Sequence, residues 1–184
     1  MILNIRFRII IQIEMDVKTA LTIICPKLES IQINNIREKY DKAYPRWMPH
    51  INLIFPFVTE QEFEKIKDTF IDQLKNVNPF TIKLNKISFF PQKQNVNIHL
   101  LPHDDSNLQE LYLILIKLLP NIKPNFYPHL TLGQMTKEKY ENIKTELYQW
   151  ISEGFEFTIN EICLIKRYNN NPFEIKEKFN LKCN

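Results

Sequence analysis

Two copies of one short motif contain the residues of this chain that are best suited to acid–base chemistry. Residues 49–53 read Pro-His-Ile-Asn-Leu, and residues 128–132 read Pro-His-Leu-Thr-Leu. The chain has four histidines, and two of them, His50 and His129, occupy the same position of this motif. A neutral imidazole accepts a proton near neutral pH and a protonated one donates it, so two facing histidines would form an acid–base pair.

A hydrogen-bonding side chain follows each of these histidines by two residues, Asn52 in the first copy and Thr131 in the second. Side chains at positions i and i+2 of a β-strand point to the same face. Each motif is therefore predicted to present one imidazole and one polar group side by side. Two such pairs facing each other would make a symmetric site around a bound anion.

The elements that must position the two motifs recur in the same order along the chain. Hydrophobic periodicity predicts for the first half a strand over 17–25, a helix over 28–40, a motif strand over 50–55, a helix over 59–74 and a strand over 80–90. It predicts for the second half a strand over 95–101, a helix over 106–119, a motif strand over 129–134, a helix over 136–151, and strands over 155–168 and 173–181.

Three of the predicted helices begin at residues that favour a helix N-terminus. Thr59 with Glu62, and Ser106 with Gln109, have the spacing of a capping box, in which each side chain bonds the backbone N–H of the other residue. Thr136 is a suitable cap for the last helix. These residues fix the predicted helix starts more closely than hydrophobic periodicity does.

The predicted fold class is α+β, in which two duplicated β-α-β-α-β units form a bilobal molecule with mixed or antiparallel sheets lining a central cleft and helices outside. We expect an N-terminal extension over 1–15 and one bilobal domain over 16–184, with repeats at about 17–94 and 95–184. Alternating helices and strands alone would suggest a parallel sheet, but the loop over 91–94 is short enough for a hairpin. A pseudo-twofold axis between the repeats would bring both motif histidines to opposite walls of the cleft.

Charge and cysteine content limit the classes of protein to which the chain can belong. The net charge of +3, from 24 basic and 21 acidic residues, does not predict a protein that coats nucleic acid by charge alone, but it allows a small anionic ligand. The three cysteines form no metal-binding cluster, so zinc is not expected. Their odd number and the lack of a secretory signal fit an intracellular, cytoplasmic protein, with a nuclear location also open. No apolar stretch is long enough to span a membrane.

The paired motifs, in matching positions of a repeat, resemble the H-x-(T/S)-x signatures of the two-histidine (2H) phosphoesterase superfamily. Within it, the chain is similar to the RNA 2′,3′-cyclic phosphodiesterase and 2′-5′ RNA ligase-like group over roughly residues 18–181, including residues 46–57, 127–133 and 164–173. The resemblance implies a bilobal fold with both motif strands lining a central cleft. It also implies chemistry that opens 2′,3′-cyclic phosphates, cleaves related bonds or joins RNA ends, without a metal or other cofactor. The expected partner is an RNA end or a small nucleotide, and we expect a monomer with no membrane attachment.

The resemblance assigns His50 and His129 as the catalytic pair on opposite sides of the phosphorus atom, because the attacking and leaving oxygens lie in line. For hydrolysis of a 2′,3′-cyclic phosphate to a 2′-phosphate, we assign His129 as the base and His50 as the acid. Asn52 and Thr131 are the predicted phosphate-binding residues. The chain departs from the family at Asn52, where Thr or Ser is usual, and at Gln134, where relatives often have a basic residue.

Three further side chains are predicted to bind substrate at the border of the cleft. Phe90 and Tyr168 would stack on a base, and Arg46 would attract a phosphate chain. Alternatively, the two rings pack in the core and the arginine lies at the solvated surface. His99 and His103 belong to no motif and are expected to have incidental roles.

The predicted function is metal-independent hydrolysis of 2′,3′-cyclic phosphate, or related 2′-linked, ends of RNA or nucleotides. The alternative from another class is a nucleotide-binding module of the same fold without turnover, which Asn52 keeps open. An RNA-end ligase or a 3′ exonuclease would need a longer basic track, for which the near-neutral composition gives little support. A purely structural role does not account for two histidines at matched positions.

Overall fold

A computed structural model describes residues 14–119 and 125–182 of the chain. The described strands are β1 (Met15–Asp16), β2 (Thr19–Ile24), β3 (His50–Ile54), β4 (Phe57–Val58), β5 (Phe80–Gln92), β6 (Asn95–Pro102), β7 (Leu130–Thr136), β8 (Phe155–Ile159), β9 (Glu161–Lys166) and β10 (Glu174–Asn180). The described helices are α1 (Lys27–Tyr40), α2 (Glu60–Leu74), α3 (Ser106–Ile116) and α4 (Lys137–Trp150).

Two four-stranded sheets form the framework of the described residues. The first sheet has the strand order β10-β9-β2-β3, and the second has the order β7-β6-β5-β8. Every neighbouring pair in both sheets is antiparallel. The predicted α+β class with antiparallel sheets is therefore confirmed, and the parallel sheet that helix–strand alternation alone would suggest is wrong.

Each sheet combines strands from both halves of the sequence. The long strand β5 belongs to the first half, yet it pairs with β8 near its start and with β6 over the rest of its length. Strands β9 and β10 belong to the second half but extend the first sheet beside β2. The strand predicted over 155–168 is therefore wrong, because Asn160 separates β8 from β9 and the two lie in different sheets. Apolar residues alternate on both sides of this break, so the pattern gives no sign of it.

Two helices begin at the cap residues that the sequence predicts, and a third does not. The Thr59 hydroxyl accepts a hydrogen bond from the Glu62 backbone N–H, and the Thr136 hydroxyl caps α4 in the same way. The capping box predicted at Ser106 and Gln109 is wrong. The N-cap of α3 is Asp105, and the Gln109 side chain donates to the Asp105 carboxylate at 2.9 Å. The backbone N–H and the hydroxyl of Ser106 both donate to the Asp104 carboxylate, so the N–H is not left for the Gln109 side chain.

One glycine allows α1 to approach the second motif strand very closely. A Cβ atom added at Gly133 of β7 would lie 2.6 Å from the backbone C and O atoms of Tyr40, the last residue of α1. No other residue type fits there without moving the helix. The end of α1 is thus held against β7, although it follows a strand of the other sheet in sequence.

Most of the buried apolar side chains form one cluster that links both sheets and all four helices. Its fully buried members include Leu21 and Ile51 from the first sheet, Leu84 from the second, and Phe63 and Leu108 from the helices. Burial of such side chains contributes roughly 1.5–3 kcal/mol each relative to an exposed position. No helix within 14–119 and 125–182 is long and apolar enough to cross a bilayer. Most of the extension predicted over 1–15 lies outside the described residues, and its last residue, Met15, pairs with β4.

Candidate active site

The two motif strands lie at facing edges of the two sheets. Strand β3 is the edge of the first sheet and β7 is the edge of the second. Cα atoms of β3 and β7 approach within 8 Å without forming a ladder, so the gap between the edges is a cleft rather than a continuous sheet. The two sheets thus bring together motifs that are far apart in sequence.

Two cavities occupy this cleft and share Asn52 and Phe55 as lining residues. The inner cavity has a volume of about 180 Å³ and is lined by Arg37, Asp41, Ala43, Trp47, His50, Asn52, Phe55, Asn97, Thr131 and Gln134. The outer cavity has a volume of about 570 Å³ and is lined by Met15, residues 52–56, Tyr112, residues 125–127 and His129. His50 and Thr131 therefore line one cavity, and His129 lines the other.

Both motif histidines are oriented by the same hydrogen bond. The Nδ1 atom of His50 lies 2.6 Å from the Met48 carbonyl oxygen, and that of His129 lies 2.7 Å from the Tyr127 carbonyl oxygen. A carbonyl oxygen only accepts, so each Nδ1 must donate its proton. The Nε2 atom of each ring is then left to accept a proton or, in the charged form, to donate one.

The surroundings of His50 favour its neutral form. The walls of the cleft desolvate the ring and, together with the positive charges of Arg37 and His129, lower the pKa of His50 to about 4. The Met48 carbonyl and the Asp41 carboxylate act in the opposite direction but do not outweigh these effects. Trp47 stacks on the imidazole with a centroid distance of 4.8 Å and an interplanar angle of 19°. At neutral pH, His50 of the free protein is therefore a proton acceptor.

A cluster of aromatic rings surrounds His129 instead. Phe90 meets the His129 ring edge-on at 5.4 Å between centroids, and Tyr127 lies at 5.8 Å. Phe90 also stacks on His99 at 4.3 Å, and His99 lies 5.1 Å from His129. Of the three predicted substrate-binding residues, Phe90 is the one that the structure places against a motif histidine.

His99 is a residue whose position the sequence did not reveal. It is fully buried, its Nδ1 bonds the Asn97 carbonyl oxygen at 3.2 Å, and its Nε2 has no partner among the described residues. Burial, with a smaller effect from the charge of His129, lowers the pKa of His99 to about 4. His99 is paired in register with Thr131 on β7. The alternation of polar and apolar residues over 95–99 places His99 and Asn97 on one face of the strand, but it does not show that this face meets the cleft.

The polar side chains of the inner cavity include two amides with unpaired oxygens. The Oδ1 atoms of Asn52 and Asn97 are buried and have no hydrogen-bond partner among the described residues. A half-turn of an amide exchanges its oxygen and nitrogen, so either side chain can present an acceptor or a donor. Thr131 lines the same cavity. A bound ligand with hydroxyl and phosphate groups would satisfy these polar atoms.

A buried ion pair also lines the inner cavity. Arg37 of α1 donates from Nε and Nη2 to one carboxylate oxygen of Asp41, at 2.9 and 2.7 Å. Gln134 of β7 donates to the other oxygen at 3.3 Å, and its own carbonyl accepts from the Lys42 backbone N–H at 3.0 Å. The sequence shows Arg37 and Asp41 at i, i+4 spacing, but such pairs are usually solvent-exposed, and this one lies on the buried face of α1 with Ile33.

The other two predicted substrate-binding residues lie outside both cavities. The guanidinium of Arg46 donates to the Lys42 carbonyl oxygen at 3.2 Å. The ring of Tyr168 is half exposed and contacts the Lys166 ammonium, 4.7 Å from its centroid. Neither residue lines either cavity. In the part of the chain that the structure describes, no three His, Cys, Asp or Glu side chains form a group that could hold a metal ion.

Comparison with known sequences identifies the relatives of the chain. The sequence profile of a family described as the 2′-5′ RNA ligase superfamily matches residues 25–171. “Putative phosphoesterase BH1439” of Halalkalibacterium halodurans is 30% identical over 154 residues, which cover 80% of this chain and 88% of that protein. A Geobacillus kaustophilus protein of the same description, GK0864, is 28% identical over 166 residues, covering 88% of this chain and 95% of that protein.

Solved structures share the fold at low sequence identity. LigT of E. coli in its apo form superposes with a TM-score of 0.61 at 15% identity, covering 90% of this chain and 98% of LigT. TT0787 of Thermus thermophilus gives a TM-score of 0.59 at 15% identity, covering 89% of this chain and 97% of TT0787. LigT complexed with 3′-AMP gives 0.60 at 15% identity, with coverages of 89% and 97%.

Proposed function

Because the chain belongs to the 2′-5′ RNA ligase superfamily, we propose that it hydrolyses 2′,3′-cyclic phosphate, or related 2′-linked, ends of RNA or nucleotides without a metal ion. The observation that carries this proposal is the matched pair of histidines on facing edge strands, each with Nδ1 bonded to a backbone carbonyl and Nε2 left for proton transfer. A nucleotide ligand is supported by the complexes of LigT, a protein of the same fold, with 3′-AMP, ATP and NADP+.

The lowered pKa of His50 supports the reverse of the acid–base assignment made from sequence. We propose that neutral His50 accepts a proton at Nε2 from the attacking water as the new P–O bond forms. His129 then donates the proton from its Nε2 to the leaving ribose oxygen as the P–O3′ bond breaks, which gives a 2′-phosphate. The two histidines return to their starting forms by proton exchange with solvent.

Thr131 and Asn52 are proposed to stabilise the charge that develops on the non-bridging phosphate oxygens. The Thr131 hydroxyl and the Asn52 amide line the inner cavity beside His50. A positioned donor of this kind typically lowers an enzymatic barrier by about 3–4 kcal/mol. The Asn52 amide contributes as a donor only when its nitrogen, rather than its oxygen, faces the phosphate.

Hydrolysis of 2′,3′-cyclic AMP and of a short RNA with a cyclic phosphate end, measured in EDTA, tests the proposal. We expect turnover by the wild-type protein and its loss in both His50→Ala and His129→Ala. His103→Ala is the matched control, because this histidine is exposed and bonds Asn85 outside both cavities, and it should retain full activity. Turnover that disappears in EDTA and returns with a divalent cation would contradict the metal-independent mechanism.

A nucleotide-binding module without turnover is the second candidate, because Asn52 stands where the resemblance implies Thr or Ser. If this candidate is correct, the folded wild-type protein binds 2′-AMP but hydrolyses neither substrate. The variant Asn52→Thr tests whether the amide at position 52 is the cause of the missing turnover. Hydrolysis gained only in that variant would assign the loss to the amide, whereas activity of the wild type that survives in Asn52→Thr would reject the binding-only role.

A further inference from the structure

We propose that Arg37 of α1 is the cationic anchor for the substrate phosphate in the inner cavity. The inference rests on the proposed function for the identity of the anion, since it assigns to this site a phosphate group carried by a nucleotide. Arg37 is the only Arg or Lys among the described residues that line the inner cavity. The neighbouring His50 is neutral at pH 7 because its pKa is lowered to about 4, so it does not supply a standing positive charge.

The hydrogen bonds of Arg37 leave part of its guanidinium available. Its side chain is only 2% exposed, yet it lines the cavity. A guanidinium has five N–H donors. Nε and Nη2 each donate to Asp41, and Nη1 donates to Asn34 at 3.1 Å. Two N–H groups, one on Nη1 and one on Nη2, remain without a partner among the described residues and can donate to the oxygens of a phosphate.

The carboxylate that pairs with Arg37 is shared among other donors. Asp41 accepts from Arg37 through one oxygen, while its other oxygen accepts from the Ala43 backbone N–H at 2.9 Å and from Gln134 at 3.3 Å. These bonds disperse part of the negative charge of Asp41 over the neighbouring donors. In keeping with this, the charge of Arg37 shifts the pKa of His50 more than the opposing charge of Asp41 does.

Contacts between the end of α1 and β7 place this pair in the cleft. Gly133 admits the last turn of α1 against β7, and the neighbouring Gln134 bonds both Asp41 and the Lys42 backbone. Gln134 thereby holds the end of α1 to the second motif strand. The positive charge of the inner cavity comes from Arg37 of α1, and Gln134 positions it.

Unpaired polar atoms in the same cavity point independently to a ligand. The Asn52 and Asn97 amides each have a buried oxygen without a partner among the described residues, and both line the cavity with Arg37. A nucleoside phosphate supplies hydroxyl donors for the amide oxygens and anionic oxygens for the guanidinium. Inorganic phosphate lacks the ribose hydroxyls and the base, so comparison of the two ligands separates the contribution of Arg37 from that of contacts to the nucleoside.

Calorimetric titration with 2′-AMP and with inorganic phosphate at pH 7 tests the proposal. Removing Arg37 alone would leave Asp41 buried and unpaired, so the double variant Arg37→Gln/Asp41→Asn is used. We expect its affinity for both ligands to fall at least about tenfold, the loss expected for one charge-assisted contact. Lys39→Gln, an exposed charge on the same helix, is the matched control and should bind like the wild type.

The single variant Asp41→Asn is an independent second test, because the Asn carbonyl oxygen can still accept a hydrogen bond from Arg37. It removes the opposing charge and leaves Arg37 in place, so we expect phosphate to bind at least about threefold more tightly. A purely structural ion pair would give unchanged or weaker binding, and that result would overturn the inference. A folded double variant that binds within twofold of the wild type would overturn it as well.

The outcome for Arg37 is separable from the outcome for the proposed function. If the wild type binds 2′-AMP through Arg37 but shows no turnover, the proposed function fails and the anion site stands. If the wild type hydrolyses cyclic phosphates and the double variant keeps its affinity, the proposed function stands and the anchor is not Arg37. His50→Ala should lose turnover while retaining phosphate binding.

Discussion

His50 and His129 share one hydrogen-bonding pattern but not one environment, and this difference predicts the pH dependence of the reaction. As the base, His50 must be neutral, so its pKa of about 4 places the acid-side fall of kcat/KM near that pH. A pH–rate profile for 2′,3′-cyclic AMP from pH 3.5 to 8 checks this, with circular dichroism at each pH to confirm that the protein is folded. Because the opposite assignment of acid and base gives a profile of the same shape, a p-nitrophenyl phosphodiester, whose leaving group needs no protonation, separates the roles: His129→Ala should keep turnover of that substrate and His50→Ala should lose it.

At the same scale, the spacing of the motifs predicts His50, Asn52 and Thr131 as lining residues of one cavity, because i and i+2 on a strand share a face. Arg37 and Asn97 could not be assigned in this way. Their roles depend on which strands and helices lie next to the motif strands, and spacing within a segment contains no information about such contacts. Their residue types are also those expected of an exposed surface.

At the scale of elements, the close contact between α1 and β7 depends on Gly133. An added methyl group would lie 2.6 Å from the Tyr40 backbone, so Gly133→Ala must displace the end of α1 together with the Arg37 pair. We expect a loss of roughly 1–3 kcal/mol in the free energy of unfolding, as for other overpacked sites, and weaker phosphate binding. Urea denaturation and 2′-AMP titration measure the two effects.

Met135→Leu provides the control for this substitution. Met135 is buried on the same strand, and the exchange conserves volume, so its cost should stay below about 1.5 kcal/mol without a change in affinity. Equal effects of the two variants would show that β7 is merely sensitive to substitution. Such a result would contradict the specific role assigned to the contact between Gly133 and the end of α1.

Helix positions follow from the sequence better than strand partners do. The caps at Thr59 and Thr136 are local interactions between residues three apart, and both helices begin where they predict. The break at Asn160 and the transfer of the chain from one sheet to the other depend on partners about 80 to 140 residues away, such as Phe80 for β8 and Thr22 for β9. Hydrophobic periodicity shows that one face of a strand is buried, but it does not show which sheet the strand joins.

At the scale of the whole molecule, buried neutral histidines link stability to pH. The pKa of His99 is lowered from 6.5 to about 4 by burial, and that of His50 is lowered in the same direction. Between these values the unfolded chain binds more protons than the native protein, so stability rises with pH and is lost as the pH falls from about 6.5 towards 4. We expect a loss of roughly 1–3 kcal/mol across this interval for the buried His99.

Urea denaturation at pH 7.0, 5.5 and 4.5 measures this linkage, and His99→Gln separates the contributions. The variant removes the titrating group at position 99, so the pH dependence of its unfolding free energy should be smaller than that of the wild type. The pH dependence that remains in the variant comes from His50 and from the carboxylates. An identical pH dependence in the two proteins would show that His99 is accessible to protons in the folded state.

The first sheet contains strands from the end of the chain, so it can be completed only late in synthesis on the ribosome. The first sheet holds the His50 motif, but β2 gains its inner neighbour β9 only after residues 161–166 have been made, when both motifs have already been synthesised. A nascent chain that has both histidines still lacks the sheet that aligns one of them. We therefore expect translation intermediates that end before β9 to be inert towards RNA, so that the chain becomes competent late and in a single step.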